Sequence, residues 1–240
     1  MSSIYLIRHG QAGTRDAYDW LSRLGRRQAR LLGEYFASQG IKFAAAYSGE
    51  LSRQRQTAQE VQVGYGTVEF PELTIDSGWN EFDLNRMYQE LAPRLCERDA
   101  DFRREYEFLQ QRIHADGGEY GSSVHRRWLP CDTTLVNAWI DGTLAYGGET
   151  WEEFRRRVGA RRASGHFAHA EEKIAVFTSA TPIAIWVGLA LDIDDGRLMK
   201  LAGVLHNASF SMLRLRNNDL RLFNFNATPH LASPELRTFR

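Results

Sequence analysis

The sequence of 240 residues is poor in cysteine and in long hydrophobic runs. Its two cysteines, Cys96 and Cys131, are spaced unlike any zinc site, and neither lies in a motif typical of a nucleophile. This usage predicts a reduced, cytoplasmic compartment. The longest apolar runs, such as residues 183–191, fall far short of the ~20 residues that a membrane-spanning helix needs. No secretory leader is expected, because the chain starts without a basic n-region or a long apolar h-region.

Net charge is also missing, since 30 basic residues balance 30 acidic ones. Without an overall field, neither nucleic acid nor an anionic membrane is an expected partner. All but three of the basic residues are arginine. The planar guanidinium group suits phosphate and carboxylate, although a GC-rich genome produces the same bias. Any attraction for a charged ligand must therefore come from a local cluster.

Apolar side chains are abundant, at 43% of the residues, which is enough for one compact domain over residues 1–240. Short apolar runs at residues 3–7 and 43–47 are each followed by a helical pattern, over residues 22–40 and 51–63. This alternation predicts an α/β fold with a parallel sheet and helices on its faces.

The pattern changes over residues 82–146, where charged amphipathic stretches and a glycine-rich break replace the alternation. We interpret this segment as an insertion that forms a cap. Beyond it the pattern predicts a charged helix at residues 150–171 and a strand at residues 174–178. A long apolar helix follows with Pro182 at its first position, and residues 212–225 form a terminal β-hairpin.

Polar residues follow three of the predicted strands. Arg8 and His9 come after the first strand, Ser48 after the second, and Ser179 after the later one. Parallel strands present their carboxyl ends at one edge of a sheet, where ligands bind, and Arg53 lies early in the helix after Ser48. Two guanidinium groups, an imidazole and a helix N-terminus at one edge form an anion site that favours a phosphoryl group.

The segment YLIRHGQ at residues 5–11 resembles the R-H-G signature of the histidine phosphatase superfamily, the phosphoglycerate mutase-like proteins. Residues 48–58 resemble that family's S-x-x-L-x-R-x-x-Q-T-A segment. Asn80-Glu81-Phe82 is similar to the place of its acidic proton donor, and Gly148-Glu149-Thr150 to an element after its cap. The resemblance spans essentially the whole chain. It implies a three-layer α/β/α sandwich with a mostly parallel sheet, and a helical cap that shapes the substrate pocket.

Carried over by position, the resemblance implies that His9 is the nucleophile that takes the phosphoryl group, with Arg8 and Arg53 clamping its oxygens. Neutral imidazole is a competent nucleophile, and phosphoryl transfer asks mainly for positioning and charge stabilisation. Glu81 would protonate the leaving oxygen, with Asp83 two residues later as the rival acid.

The chain departs from the family at its second histidine. In the matching stretch, residues 177–183, Ser179 stands where the family's V-S-H-G-G-V-I segment has that histidine. We assign Ser179 and Gln11 to phosphate binding, although a serine hydroxyl carries no charge. His206 and His125 are the candidates for replacing the missing imidazole.

These residues predict a metal-independent phosphomonoester hydrolase that works through a phosphohistidine, needs no cofactor and acts on a small phosphorylated substrate. A mutase is the weaker expectation, because it must keep water out between two transfers. The alternative from another class is a catalytically weak or inactive phosphoester-binding or scaffold protein, because Ser179 replaces the histidine. The identity of the substrate and the oligomeric state, including a homodimer, stay open.

Overall fold

A computed structural model describes residues 2–14, 18–66, 69–115, 128–163, 172–216 and 219–239. The chain divides into two compact units. Of the described residues, the first unit holds those up to Gly13, those from Tyr18 to Glu81, and Arg157–Phe239, whereas Thr14 and Phe82–Arg156 belong to the second. The predicted glycine-rich break, His125 and the hairpin residues Asn217 and Asn218 lie outside the described residues.

The first unit is built on a mixed β-sheet. Its strands are β1 Ser2–Arg8, β2 Ala45–Ser48, β3 Leu73–Ile75, β4 Lys173–Thr178, β5 Phe210–Arg216 and β6 Asp219–Ala227. Within the described part of the chain they form one six-stranded sheet in the order β3-β2-β4-β1-β5-β6. The first four strands of that order are parallel, and β5 and β6 add antiparallel pairings. The predicted α/β class is confirmed, and the terminal hairpin makes the sheet mixed.

The helices follow the predicted alternation, with some differences in extent. They are α1 Arg23–Ser38, α2 Ser52–Tyr65, α3 Leu84–Arg98, α4 Ala100–Ala115, α5 Pro130–Ile140, α6 Trp151–Ala160, α7 Ala180–Leu191 and α8 Asp195–Val204. Ser22 caps α1, since its hydroxyl accepts from the N–H of Gly25 at 3.0 Å. None of the described helices combines the length and the apolar character needed to cross a membrane.

Two helix boundaries differ from the prediction, and two elements were not predicted. Helix α7 begins at Ala180, so Pro182 is its third residue and not its first. The proline still removes no intrahelical bond, because the first four N–H groups of a helix have no acceptor within it. Helix α6 ends at Ala160 and continues as a short 3₁₀ turn. The short strand β3 and the helix α8 lack a clear apolar period.

The core of the first unit forms around β1, which is paired with β4 on one side and β5 on the other. Tyr5 and Ile7 alternate with Leu6 along β1, and they belong to a buried cluster that includes side chains of α1 and α2. Aromatic rings of this cluster meet edge to face, such as Tyr5 and Phe43 at 5.3 Å between centroids. The carboxyl end of β1 is therefore held rigidly in the middle of the sheet.

The second unit is helical and has its own core. Its fully buried side chains include Met87, Leu91, Phe102 and Leu135. The carboxylate of Asp132 is also buried, where it accepts from the hydroxyl of Tyr88 at 2.6 Å and from the N–H of Leu129 at 2.7 Å. Burial and this carboxylate raise the pKa of Tyr88.

Helices α1 and α2 approach each other closely at two glycines. A Cβ atom on Gly33 would lie 2.1 Å from the carbonyl oxygen of Val61, and one on Gly64 would lie 2.0 Å from the carbonyl oxygen of Arg30. Both obstacles are backbone atoms of a neighbouring helix, so a methyl group can be accommodated only by separating the helices.

We expect Gly33→Ala to lower the free energy of unfolding by about 1–3 kcal/mol, the usual range for overpacking. Gly203→Ala in α8 is the matched control, because beyond its own helix backbone and chain neighbours no described residue comes within 4 Å of the added Cβ. That variant should be neutral or more stable by up to about 1 kcal/mol, since alanine favours helix over glycine. Urea denaturation followed by circular dichroism measures both, and equal stabilities would refute the close contact.

Candidate functional site

His9 is fixed through its backbone at the carboxyl end of β1. Its N–H donates to the carbonyl of Thr178 at 2.9 Å, which continues the pairing of β1 with β4. Its own carbonyl accepts from the N–H of Ala208 at 3.1 Å and from the side-chain amide of Asn207 at 3.4 Å. Ala208 has a φ of 55°, a strained conformation for alanine. The backbone of His9 is thus bonded on two sides.

The ring of His9 is held in one tautomer. Its Nδ1 lies 2.8 Å from the carbonyl oxygen of Gly10. Since a carbonyl can only accept, Nδ1 carries the proton in the neutral ring and Nε2 keeps the lone pair. Burial, and then the nearby cations Arg53 and Arg8, lower the pKa of His9 well below 6.5, whereas the bond to Gly10 opposes them. The imidazole is therefore neutral at pH 7.

Hydrogen bonds join the R-H-G motif to the motif at residues 48–58. The N–H of Gly10 donates to Oγ1 of Thr57 at 3.0 Å, and the Thr57 hydroxyl donates to the carbonyl of Arg53 at 2.7 Å. Gln56 accepts from the N–H of Leu21 through its side-chain oxygen at 2.9 Å. These contacts attach the first turns of α2 to the loop after His9.

Arg53 is buried at 7% exposure and lies against the residues Tyr18 and Asp19. Its guanidinium donates to Asp19 Oδ1 at 3.1 Å, and the other oxygen of that carboxylate accepts from the N–H of Ser52 at 3.1 Å. The Arg53 Cζ atom lies 5.0 Å from the centre of the Tyr18 ring, and that ring meets the ring of His9 edge to face at 6.2 Å. Tyr18 therefore contacts both Arg53 and His9.

Arg8 is also buried, and its guanidinium is held by the backbone. One terminal nitrogen donates to the carbonyl of Leu205, and the other donates to the carbonyl of Phe239 at 2.6 Å. Burial removes water from the charged guanidinium, and the hydrogen bonds to these two carbonyl oxygens offset part of that cost. The structure therefore keeps a second cation close enough to His9 to lower its pKa.

Ser179 is the N-cap residue of α7, but its side chain does not cap the helix. The N–H of Thr181 donates instead to Oε2 of Glu81 at 3.1 Å, so the carboxylate of Glu81 lies at the N-terminus of α7. Oγ of Ser179 accepts from Nε2 of Gln54 at 2.9 Å. Glu81 and Ser179 thus meet at one helix end, beside the strand that pairs with β1.

The remaining candidates have structural contacts of their own. Oε1 of Gln11 accepts from the hydroxyl of Ser22 at 3.0 Å. The carboxylate of Asp83 accepts from the N–H of Arg86 at 3.0 Å and caps α3. The ring of His206 lies 4.3 Å from that of Phe239. Burial, and then Arg237 and Arg8, lower the pKa of His206, which favours its neutral form.

Sequence reasoning missed three residues of this site. Tyr18 and Asp19 lie in a loop without a motif, and Gln54 occupies an unspecified position between two motif residues. No spacing signal marks them, because their contacts join residues far apart in the chain. Among the described residues, no group of three or more histidine, cysteine, aspartate or glutamate side chains is placed to hold a metal ion.

Comparisons with known proteins agree with the resemblance. The family model described as the histidine phosphatase superfamily (branch 1) matches residues 4–145 and 133–228. No curated protein matches the chain. Solved structures with the same fold include the α-ribazole phosphatase of Shigella flexneri, with a TM-score of 0.60 and 15% identity over 94% of this chain and 96% of that chain.

Two further phosphatases share the fold. A variant phosphoserine phosphatase of Entamoeba histolytica has a TM-score of 0.57 and 16% identity, and covers 96% of this chain and 100% of its own. A mycobacterial glucosyl-3-phosphoglycerate phosphatase has a TM-score of 0.56 and 19% identity, with coverage of 94% and 99%. At these identities the likeness shows the fold, and it leaves the substrate undetermined.

We expect the imidazole of His9 to titrate below pH 6.5 in the folded protein. Arg53 is the second cause of the low pKa of His9, after burial. Arg53→Gln removes this positive charge and should therefore raise the titration midpoint of His9. Arg221→Gln is the matched control, because Arg221 is 74% exposed and pairs with Asp219 at 2.9 Å. Nitrogen NMR of the histidine rings checks the midpoints and the Nδ1–H tautomer. A wild-type midpoint at or above 6.5 would contradict this electrostatic description.

The same shift predicts how pH affects stability. As the pH falls below about 6.5, an unfolded chain binds a proton on this histidine before the folded chain does. The free energy of unfolding should therefore decrease as the pH falls from neutral toward the pKa of His9 in the folded protein.

Proposed function

The chain belongs to the histidine phosphatase superfamily, and from this premise we propose that it is a phosphomonoester hydrolase that works through a phosphohistidine on His9. The observation that carries the proposal is the state of this ring, which is buried, neutral and fixed with the lone pair on Nε2. Such an imidazole needs no general base before it attacks phosphorus. The cations Arg53 and Arg8 beside it favour a phosphoryl group as the electrophile.

The proposed first step is an in-line attack. The lone pair of His9 Nε2 forms the N–P bond while the P–O bond to the leaving group breaks, and Glu81 gives a proton to the departing oxygen. The phosphoryl oxygens would be bound by Arg53, Arg8, Ser179 and Gln11. Arg53 would exchange its bond to the exposed carboxylate of Asp19 for one to phosphate.

In the second step, Glu81 takes a proton from a water molecule as that water attacks phosphorus. The N–P bond breaks, inorganic phosphate forms and the lone pair returns to Nε2. The position of Glu81 supports this role, because its carboxylate is held by the N–H of Thr181 at the helix end that also carries Ser179. Asp83 is engaged as the cap of α3.

We expect an aryl phosphate to label the wild-type protein with one phosphoryl group on the peptide that contains His9. The label should be stable in alkali and lost in acid, as a phosphoramidate is. His9→Ala should lose the label and on the order of 10⁴-fold or more in kcat, the scale for removal of a nucleophile. Mass spectrometry after an alkaline quench checks this.

The binding alternative gives the opposite result in the same preparation. A wild-type protein that binds inorganic phosphate but forms no phosphoenzyme and releases no aryl alcohol is a phosphoester-binding protein. Loss of that binding in Arg8→Ala would place it at this site.

The role of Glu81 is tested by the leaving group. Glu81→Gln should lower kcat/KM for an alkyl phosphate by about 10²- to 10⁴-fold, because the alkoxide then departs without a proton. An aryl phosphate, whose leaving group is a weaker base, should lose much less in its first step. Asp83→Asn is the matched control and should change neither rate. A similar loss for both substrates in Glu81→Gln, or a larger loss in Asp83→Asn, would remove Glu81 as the acid.

A further inference from the structure

The side chain of Gln54 is fully buried, and the proposed two-step mechanism assigns it no role. Its Nε2 donates to the carbonyl of Trp79 at 3.1 Å and to Oγ of Ser179 at 2.9 Å. Because the carbonyl of Trp79 can only accept, this end of the amide is the NH₂ group. Both amide hydrogens therefore have an acceptor, and Ser179 is one of them.

This contact decides how the Ser179 hydroxyl can be used. An oxygen that accepts a hydrogen bond from Gln54 directs its own O–H away from that amide. Within the described chain, this O–H has no acceptor. Ser179 is next to His9 across the sheet, because Arg8 pairs with Thr178 and the N–H of His9 donates to the carbonyl of Thr178. Ser179 therefore carries a hydroxyl that can still donate, at the strand end next to the one that holds His9.

The other end of the Gln54 amide shows that packing alone does not explain this residue. Oε1 of Gln54 is buried and has no hydrogen-bond partner in the described part of the chain. A Cβ on Gly49 would lie 2.0 Å from that oxygen, so the amide is packed directly against the backbone of Gly49. A buried acceptor without a donor is costly. An apolar side chain of the same size would avoid that cost, so the two donor bonds are the feature that the site retains.

We propose that Gln54 is a positioning residue that holds the Ser179 hydroxyl as a hydrogen-bond donor to a phosphoryl oxygen. The proposal rests on the phosphoryl-transfer function proposed above. Ser179 would contact the substrate, and Gln54 would act through it. Both groups are neutral and neither titrates between pH 5 and pH 9. The site therefore stabilises the transferring group at this position by an oriented dipole.

The experiment is a double-mutant cycle with Ser179→Ala, Gln54→Leu and the double variant. Ser179→Ala should lower kcat for an aryl phosphate by about ten- to hundredfold, as expected for one hydrogen bond to a charged group. Gln54→Leu should lower kcat by a similar or smaller factor. The double variant should be no slower than Ser179→Ala, because Gln54 acts only through that hydroxyl.

Three readouts separate this role from a merely structural one. In each variant kcat should be lower by the same factor at every pH, so the apparent pKa values of the kcat–pH profile should not change. The free energy of unfolding should change little in Gln54→Leu, because the carbonyl of Trp79 still accepts from the Thr178 hydroxyl at 2.6 Å. Gln62→Leu, the same substitution at an exposed position of α2, should leave kcat and KM unchanged.

The outcomes distinguish this proposal from the phosphatase proposal itself. Additive losses in the double variant, or full activity in Gln54→Leu, would overturn the positioning role while His9 still becomes labelled. If the wild type does not turn over, calorimetry with inorganic phosphate replaces kcat. The same non-additive weakening of affinity by about tenfold is then expected, and equal phosphate affinities in all four proteins would overturn the proposal. If Gln54→Leu unfolds, Gln54→Met takes its place in the cycle.

Discussion

The backbone clamp on His9 is the constraint on which the site depends. The N–H of His9 bonds to β4, and its carbonyl bonds to the turn at Asn207 and Ala208. These bonds hold the backbone of His9, and the contact of Nδ1 with the carbonyl of Gly10 at 2.8 Å orients its ring. Catalysis by positioning requires this kind of support, because the reacting atoms must be aligned to within fractions of an ångström. Ala208, which donates to the carbonyl of His9, has a strained left-handed conformation.

Burial then determines the chemistry of the residues that the clamp brings together. His9, Arg8 and Arg53 are each less than 10% exposed, and two buried cations next to an imidazole disfavour a third positive charge. Each arginine has oxygen partners that offset part of the cost of burying its charge, the backbone carbonyls for Arg8 and Asp19 for Arg53. The same two cations that keep His9 neutral also make this part of the protein attractive to an anion.

The start of α7 shows how the fold handles a helix end without the usual side-chain cap. Glu81 supplies the capping carboxylate from another part of the chain, which leaves Ser179 to interact with Gln54. One helix terminus therefore holds an acid and a hydroxyl in defined positions. Because Nε2 of Gln54 donates to Oγ of Ser179 at 2.9 Å, a substitution at either position changes the surroundings of the other.

The sequence by itself determined the fold class and the family, and it predicted the main residues of the candidate site. Its alternation of apolar runs and helical patterns is local, and so are the motifs around Arg8-His9-Gly10 and around Arg53. The tertiary structure decided which atoms of those residues are available. The tautomer and the pKa of His9 follow from its burial and from its neighbours Gly10, Arg53 and Arg8. Ser179 stands at the start of α7, where its hydroxyl oxygen accepts a hydrogen bond from Gln54. Tyr18, Asp19 and Gln54 left no pattern in the sequence, because a contact between residues distant in the chain has no fixed spacing.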